Sequence, residues 1–209
     1  MKPILIVVTL FAGLSLALPR AATAAINVVS YWRMGENDPG AVPGTTAANA
    51  TDSIGSHNLT FSGPALYSTD VAAAASAHTG SSLSVNLSAA GAYGLGGLVS
   101  TATDNFGVEA WVKPASVTSG QVIAYNGNTA TTGWGILVSG SSYLGLFGGK
   151  DIFGSGVATP NVWTHVAMVR SGGVATIYIN GTAAGTSSVI PNLPTGNFAI
   201  GAPPQSPIN

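Results

Sequence analysis

The chain has 209 residues, no cysteine, and a formal net charge of −1 from six Lys and Arg against seven Asp and Glu. So few cations cannot build a phosphate track, which sets nucleic acid and anionic membrane surfaces aside as partners. The lack of cysteine excludes disulfides, thiol catalysis and thiolate metal sites.

Met1 to Ala24 is not fold material. Lys2 gives a positive start, Ile4 to Leu18 is apolar, and Ala22-Thr23-Ala24 is a small-x-small cleavage site. This is the pattern of a secretory signal peptide over residues 1–24. The apolar run is too short to span a bilayer comfortably, and Pro19 and Arg20 close it. Removal of this segment takes Lys2 and Arg20 with it and leaves four basic against seven acidic side chains, a net charge of −3. The sequence therefore predicts a secreted, extracellular protein with no membrane insertion after cleavage. One domain over residues 25–202 and an unstructured tail over 203–209 are the simplest organisation. A mature chain of about 185 residues buries a sizeable core without covalent staples.

From Ile26 onward the chain reads as short strands separated by glycine turns. Ile26 to Met34, Leu59 to Phe61 and Ser82 to Leu87 are the first strand candidates, with Gly35 to Ala50 and Gly91 to Gly97 as turn-rich links. Tyr67 to Thr79 holds an alanine run that favours helix, with Asp70 as a possible cap. It lacks a stripe of large apolar residues, so irregular structure is expected there. Asn105 to Pro114 alternates cleanly. Phe106, Val108, Ala110 and Val112 share one face; Gly107, Glu109, Trp111 and Lys113 share the other. Pro114 ends the strand. Gln121 to Tyr125 follows, then Gly133 to Ser139 and Tyr143 to Gly148 as a hairpin, then Ile152-Phe153. Val162 to Arg170 and Val174 to Asn180 form the strongest hairpin, around Ser171-Gly172-Gly173, a three-residue loop with one left-handed glycine. Phe198 to Ile200 is the last strand. Many short strands with no strand–helix–strand rhythm predict an all-β, two-sheet antiparallel sandwich.

Several blocks carry a family resemblance. Tyr31-Trp32-Arg33-Met34-Gly35-Glu36, Asp52-Ser53-Ile54-Gly55, Phe106 to Pro114, Trp163 to Ala167 and Ile177 to Gly181 occur in the order seen in laminin-G-like, concanavalin-A-like jelly-roll domains, and the chain resembles that family over roughly residues 28 to 202. The resemblance implies a jelly-roll sandwich that binds carbohydrate or protein and often carries calcium at a loop rim. It also implies a further strand after the Ile200-Gly201-Ala202 segment, which this chain stops without. An incomplete domain is thus expected, with an open neighbour position beside the strand around Tyr31. Such a superfold does not by itself supply a function.

The chemistry is sparse. Glycoside hydrolysis needs two carboxylates about 5–5.5 Å apart for retention, or farther apart for inversion. The strand that would carry them has Glu109 alone, since Asp104 has the opposite parity. Arg33, Arg170 or Lys113 is expected to neutralise Glu109. His57, His78 and His165 are scattered and match no metal motif; His165 is expected to be packed and hydrogen-bonded. No nucleophile elbow or phosphate loop occurs. Calcium takes oxygen ligands, and Asp52, Glu36 and Asp38 in the N-terminal loops are the candidate set, with Asp104, Asn105 and Asp151 as further ones. Sugar binding combines aromatic faces with planar polar groups; Tyr125, Asn126, Trp134 and Tyr143 are the candidate residues, while Trp111 and Trp163 are expected to pack. Asn58-Leu59-Thr60 and Asn180-Gly181-Thr182 fit a glycan-acceptor pattern, with Asn180 better suited to a turn. The sequence thus reads as a secreted, non-catalytic domain for an extracellular polysaccharide. A cell-surface protein partner or structural role, and a glycoside hydrolase built from distant acids, are the alternatives.

Overall fold

Alternating side chains along short strands have one economical outcome: two sheets stacked with their apolar faces inward. In the computed structural model, which describes residues 27–205, this is the arrangement. The signal peptide expected over residues 1–24 lies outside the described residues. In chain order the elements are β1 (Asn49–Ala50), β2 (Leu59–Ser62), β3 (Leu66–Ser68), α1 (Ala73–Thr79), β4 (Ser84–Asn86), β5 (Tyr93–Gly96), β6 (Phe106–Val112) and β7 (Gln121–Asn128). They continue with β8 (Thr132–Ser139), β9 (Ser142–Phe147), β10 (Asp151–Val157), β11 (Thr164–Ser171), β12 (Val174–Ile179), β13 (Thr182–Ser187) and β14 (Asn197–Ile200). The large sheet has eight strands in the order β1-β2-β5-β14-β7-β8-β9-β10; the small sheet has four, β13-β12-β11-β6; β3 and β4 form a separate pair. The named pairings are antiparallel. The fold is a jelly-roll sandwich, as the alternation indicates.

Its main core lies between β6, β11 and β12 on one side and β8, β9 and β10 on the other. Val166, Met168 and Ile177 are wholly buried there against Trp134, Ile136, Tyr143 and Phe147. Phe106 stacks on Trp134 with ring centroids 4.1 Å apart. A second cluster joins Leu59, Phe61, Tyr67, Ala124 and Phe198, and Trp32 stacks on Phe198 at 5.0 Å.

The turns follow side-chain chemistry. Between β11 and β12 the loop is two residues, Gly172 and Gly173, both left-handed at φ 59° and 84°. A tight two-residue turn with both residues left-handed matches strand twist better than the three-residue loop expected from sequence. Asn180-Gly181 repeats the solution between β12 and β13, at φ 48° and 79°.

Three segments depart from expectation. Ile26 to Met34 is not a strand over its described part, Asn27 to Met34: its pairing is a single bridge, Trp32 to Asp52. Ala73–Thr79 is a helix, closed by Gly80 in the left-handed conformation, whose N–H bonds the Ser76 carbonyl. Alanine propensity suffices for two turns that bury no side chain. Asp70 does not cap it. Gly91 to Gly97 contains β5, where glycine is demanded by close packing: a Cβ at Gly94 would sit 2.8 Å from Phe61 Cε1. Of the tail, Pro204 is buried, Gln205 Oε1 accepts the Thr129 N–H at 3.1 Å, and residues 206–209 lie outside the described part.

The two faces of the small sheet differ sharply in burial, 0% exposure at Ile177 against 43% at Val169. Ile177→Ala is expected to lower unfolding free energy by about 2–5 kcal/mol, and Val169→Ala to change it by less than about 0.5 kcal/mol, in urea melts.

Candidate functional site

The residues assigned to sugar from sequence lie inside the protein. Tyr125, Asn126, Trp134 and Tyr143 are 1%, 0%, 3% and 0% exposed. Tyr125 donates from its hydroxyl to the Thr132 carbonyl and accepts the Gly148 N–H; burial pushes its phenol well above the ordinary range. Asn126 pins the β5–β6 connection, donating to the Ser100 carbonyl at 2.7 Å and accepting the Val99 N–H at 3.0 Å. Trp134 donates to the Ala102 carbonyl. Tyr125, Asn126 and Trp134 hold loops against the large sheet, and Trp134 and Tyr143 lie in the core beneath the small sheet, so the four present no face to a ligand.

The carboxylates assigned to calcium are committed to the backbone. Asp52, buried, accepts four N–H groups: Tyr31, Ile54 and Gly55 on Oδ1, at 2.9, 3.1 and 3.0 Å, and His57 on Oδ2 at 3.1 Å. Burial alone would raise its pKa, but these four donors outweigh it and hold the carboxyl far below the usual carboxylate range. Asp38 accepts from the Thr51 N–H and the Tyr67 hydroxyl. Glu36 Oε1 accepts from the Ser82 and Leu83 N–H groups. A cation needs free oxygen lone pairs converging on one point; here Asp52 and Asp38 aim theirs at separate N–H and O–H donors, while Glu36 Oε2 has no hydrogen-bond partner and stands 3.8 Å from Arg33 Nε. Among the described residues no three His, Asp or Glu side chains gather as a metal site.

Ser30, His57 and Asp52 do meet. Ser30 Oγ is 2.8 Å and Asp52 Oδ2 3.5 Å from the same ring nitrogen, Nδ1. A catalytic relay places acid and nucleophile on opposite nitrogens, so this trio is a tether for the N-terminal segment rather than a relay.

The exposed chemistry is elsewhere, on the outer face of the small sheet. Residues opposite one another in an antiparallel ladder point the same way. β11 pairs His165 with Trp111 and Ala167 with Glu109 of β6, and Ala167 with Tyr178 of β12. Val166 and Met168 point into the core, so Trp111, Glu109, His165 and Tyr178 point out together. Trp111 is 38% exposed and the Glu109 side chain 73%. Trp111 and His165 have ring centroids 5.3 Å apart, tilted by 48°. His165 Nε2 stands 3.3 Å from Glu109 Oε2. The Asn180 side chain accepts the His165 N–H and so fixes this end of β11. Beyond the end of β6, Lys113 pairs with Asp70, and the Trp163 indole donates to the same carboxylate at 2.8 Å. The Lys113 bond first, then the Trp163 bond, keep the Asp70 carboxyl below its ordinary range.

Two expectations change here. Trp111 is not a core residue but lies on the outer face, 38% exposed, with its ring against His165. Glu109 is neutralised by none of the three cations expected: Arg33 donates to the Thr79 carbonyl and lies 3.8 Å from Glu36, buried Arg170 lies 3.4 Å from Asp104, and Lys113 takes Asp70. Its partner is His165. The signal was present in the alternation of residues 106–113, which puts Glu109 and Trp111 opposite an unmistakable core face.

An antiparallel jelly roll with an aromatic and polar sheet face defines a class of β-sandwich that includes sugar-binding proteins. A laminin G family model, described as the concanavalin A-like lectin/glucanases superfamily, matches residues 75–207, and the chain belongs to that family. The match takes in the Phe106–Pro114 and Trp163–Gly181 blocks but not the Tyr31–Glu36 and Asp52–Gly55 blocks. The superfamily holds both carbohydrate-binding lectins and glucanases. No curated protein matches the chain. Among the described residues no helix is long and apolar enough to cross a membrane.

Asp52→Ala is expected to cost about 2–4 kcal/mol at neutral pH, since four N–H donors lose a charged acceptor. The folded-state pKa is depressed, so this contribution is complete above about pH 5 and is lost as pH falls through the acid range. The gap between wild type and variant in urea melts should therefore close toward acid. Added calcium should leave the thermal melt unchanged.

Proposed function

We propose that the chain is a secreted, non-catalytic carbohydrate-recognition domain that binds through the outer face of its small sheet. The observation that carries this reading is the exposed Trp111 ring set beside the Glu109–His165 pair on a rigid three-strand platform. A flat ring stacks on the apolar face of a sugar, while the carboxylate and imidazole accept and donate hydrogen bonds at its hydroxyl edge. Each side chain is placed by a ladder rather than a loop, so little ordering cost attends binding.

Binding is favoured over hydrolysis because Glu109 stands next to a histidine, while the other carboxylate near this face, Asp70, is tied to Lys113 and Trp163. A hydrolase needs its second acid free across the scissile bond. Val169 and Val174, 43% and 45% exposed on the same sheet, favour a second reading, adhesion to an extracellular protein. Membership of a family that includes lectins supports the carbohydrate reading.

Affinity electrophoresis in polysaccharide-containing gels tests it. Trp111→Ala is expected to weaken retardation at least about tenfold, the scale of a lost central aromatic contact, with an unchanged thermal melt. Full retardation of this variant, or release of reducing ends by the wild type, would overturn the reading.

A further inference from the structure

We infer that the polysaccharide bound by this face carries no acidic groups. The inference rests on the reading of the small-sheet face as the carbohydrate surface and names the class of ligand it accepts. Recognition of a uronate, sulfate or sialic acid relies on a cation presenting donors, most often an arginine fork. Outside residues 1–24 the chain has four such cations, Arg33, Lys113, Lys150 and Arg170. Arg33 bonds the Thr79 carbonyl beside Glu36, and Arg170 is 2% exposed beside Asp104. Lys150 follows Gly149 in the turn between β9 and β10, in the other sheet. Among the described residues Lys113 is the single Lys or Arg along this face, and Asp70 holds its ammonium. With histidine neutral, Glu109 and Asp70 against Lys113 leave the surface with a net charge of −1.

Glu109 is the group an acidic sugar would meet. Its side chain is 73% exposed and lies one residue pair along the strand from the Trp111 ring on which the sugar would stack. Like charges brought this close exclude a competitor as effectively as attractive contacts select a partner. The spacing of the rings argues for a polymer. Trp111 on β6 and Tyr178 on β12 are two strand spacings apart across β11 and offset by two residues along it, about 11–12 Å in all, which exceeds a single sugar ring. Between them on β11 stand His165, against the Trp111 ring, and Ala167, which carries no bulk.

A glycan array of extracellular polysaccharides, sorted by charge and probed with the whole secreted chain, tests the inference. Wild type should bind neutral or amine-bearing polymers, and acidic ones at least about tenfold more weakly, with that gap narrowing at high salt as the repulsion is screened. Glu109→Gln should gain signal on acidic polymers while keeping its neutral ligands. Acidic polymers bound by wild type as well as neutral ones, through a contact that Trp111→Ala abolishes, would overturn the charge selection and leave the carbohydrate surface standing. An array silent for wild type, or hits indifferent to Trp111→Ala, would overturn the carbohydrate reading and the inference with it.

Discussion

The register of β11 between β6 and β12 is the constraint on which the rest of the molecule depends. Strand side chains alternate with a period of two, so a slip of one residue would exchange every inward group for an outward one. Val166 and Met168 would move to water, and His165 and Ala167 to the core. The two flanking strands impose the same parity: Ala110 and Val108 stand beside Val166 and Met168 on one side, Ile179 and Ile177 on the other. The tight Gly172-Gly173 turn leaves no slack in which the two long strands of the hairpin could shift. One choice of register thus fixes the core and, as its mirror, the composition of the exposed face.

The N-terminal segment is held by a different force. From Asn27 to Met34 the backbone makes one ladder bridge, yet the segment is fastened: Asp52 accepts the Tyr31 N–H, Trp32 donates to the His57 carbonyl, and the Trp32 ring stacks on Phe198. A carboxylate with four donors does here what a ladder does elsewhere, at the price of sensitivity to acid. The tie loads three of the four donors onto one carboxylate oxygen, Oδ1.

The strands with large alternating residues were legible in the sequence, and β6, β8, β9, β11 and β12 stand close to where their patterns put them. β5 and β13 were not. In β5 the glycines that look like turn residues are required by the rings and methyls of β2: Gly96 would drive a Cβ to 2.9 Å from Leu59 Cδ2. β13, Thr-Ala-Ala-Gly-Thr-Ser, has little side-chain bulk of its own and takes its conformation from pairing with β12. The site followed the same division. Outward placement of Glu109 and Trp111 was readable from parity. The burial of Tyr125, Asn126, Trp134 and Tyr143 was not, because it depends on contacts beyond their own strands: the Val99 to Ala102 loop on Asn126 and Trp134, Thr132 and Gly148 on Tyr125, and the facing small sheet over Trp134 and Tyr143. The pairing of Glu109 with His165 depends on a register between strands more than fifty residues apart, which no local pattern contains.

β6 is the last strand of the small sheet, and the exposed ring of Trp111 lies on it. The platform therefore runs out to a margin instead of ending at a wall. On the proposed reading, a thread laid across it from β12 would pass out over that edge, so neither terminus of the thread would have to be found or threaded into a hole. On that same reading, a surface of this plan would grip a long fibre anywhere along its length, tolerate side branches that overhang the border, and let many copies decorate one strand of polymer.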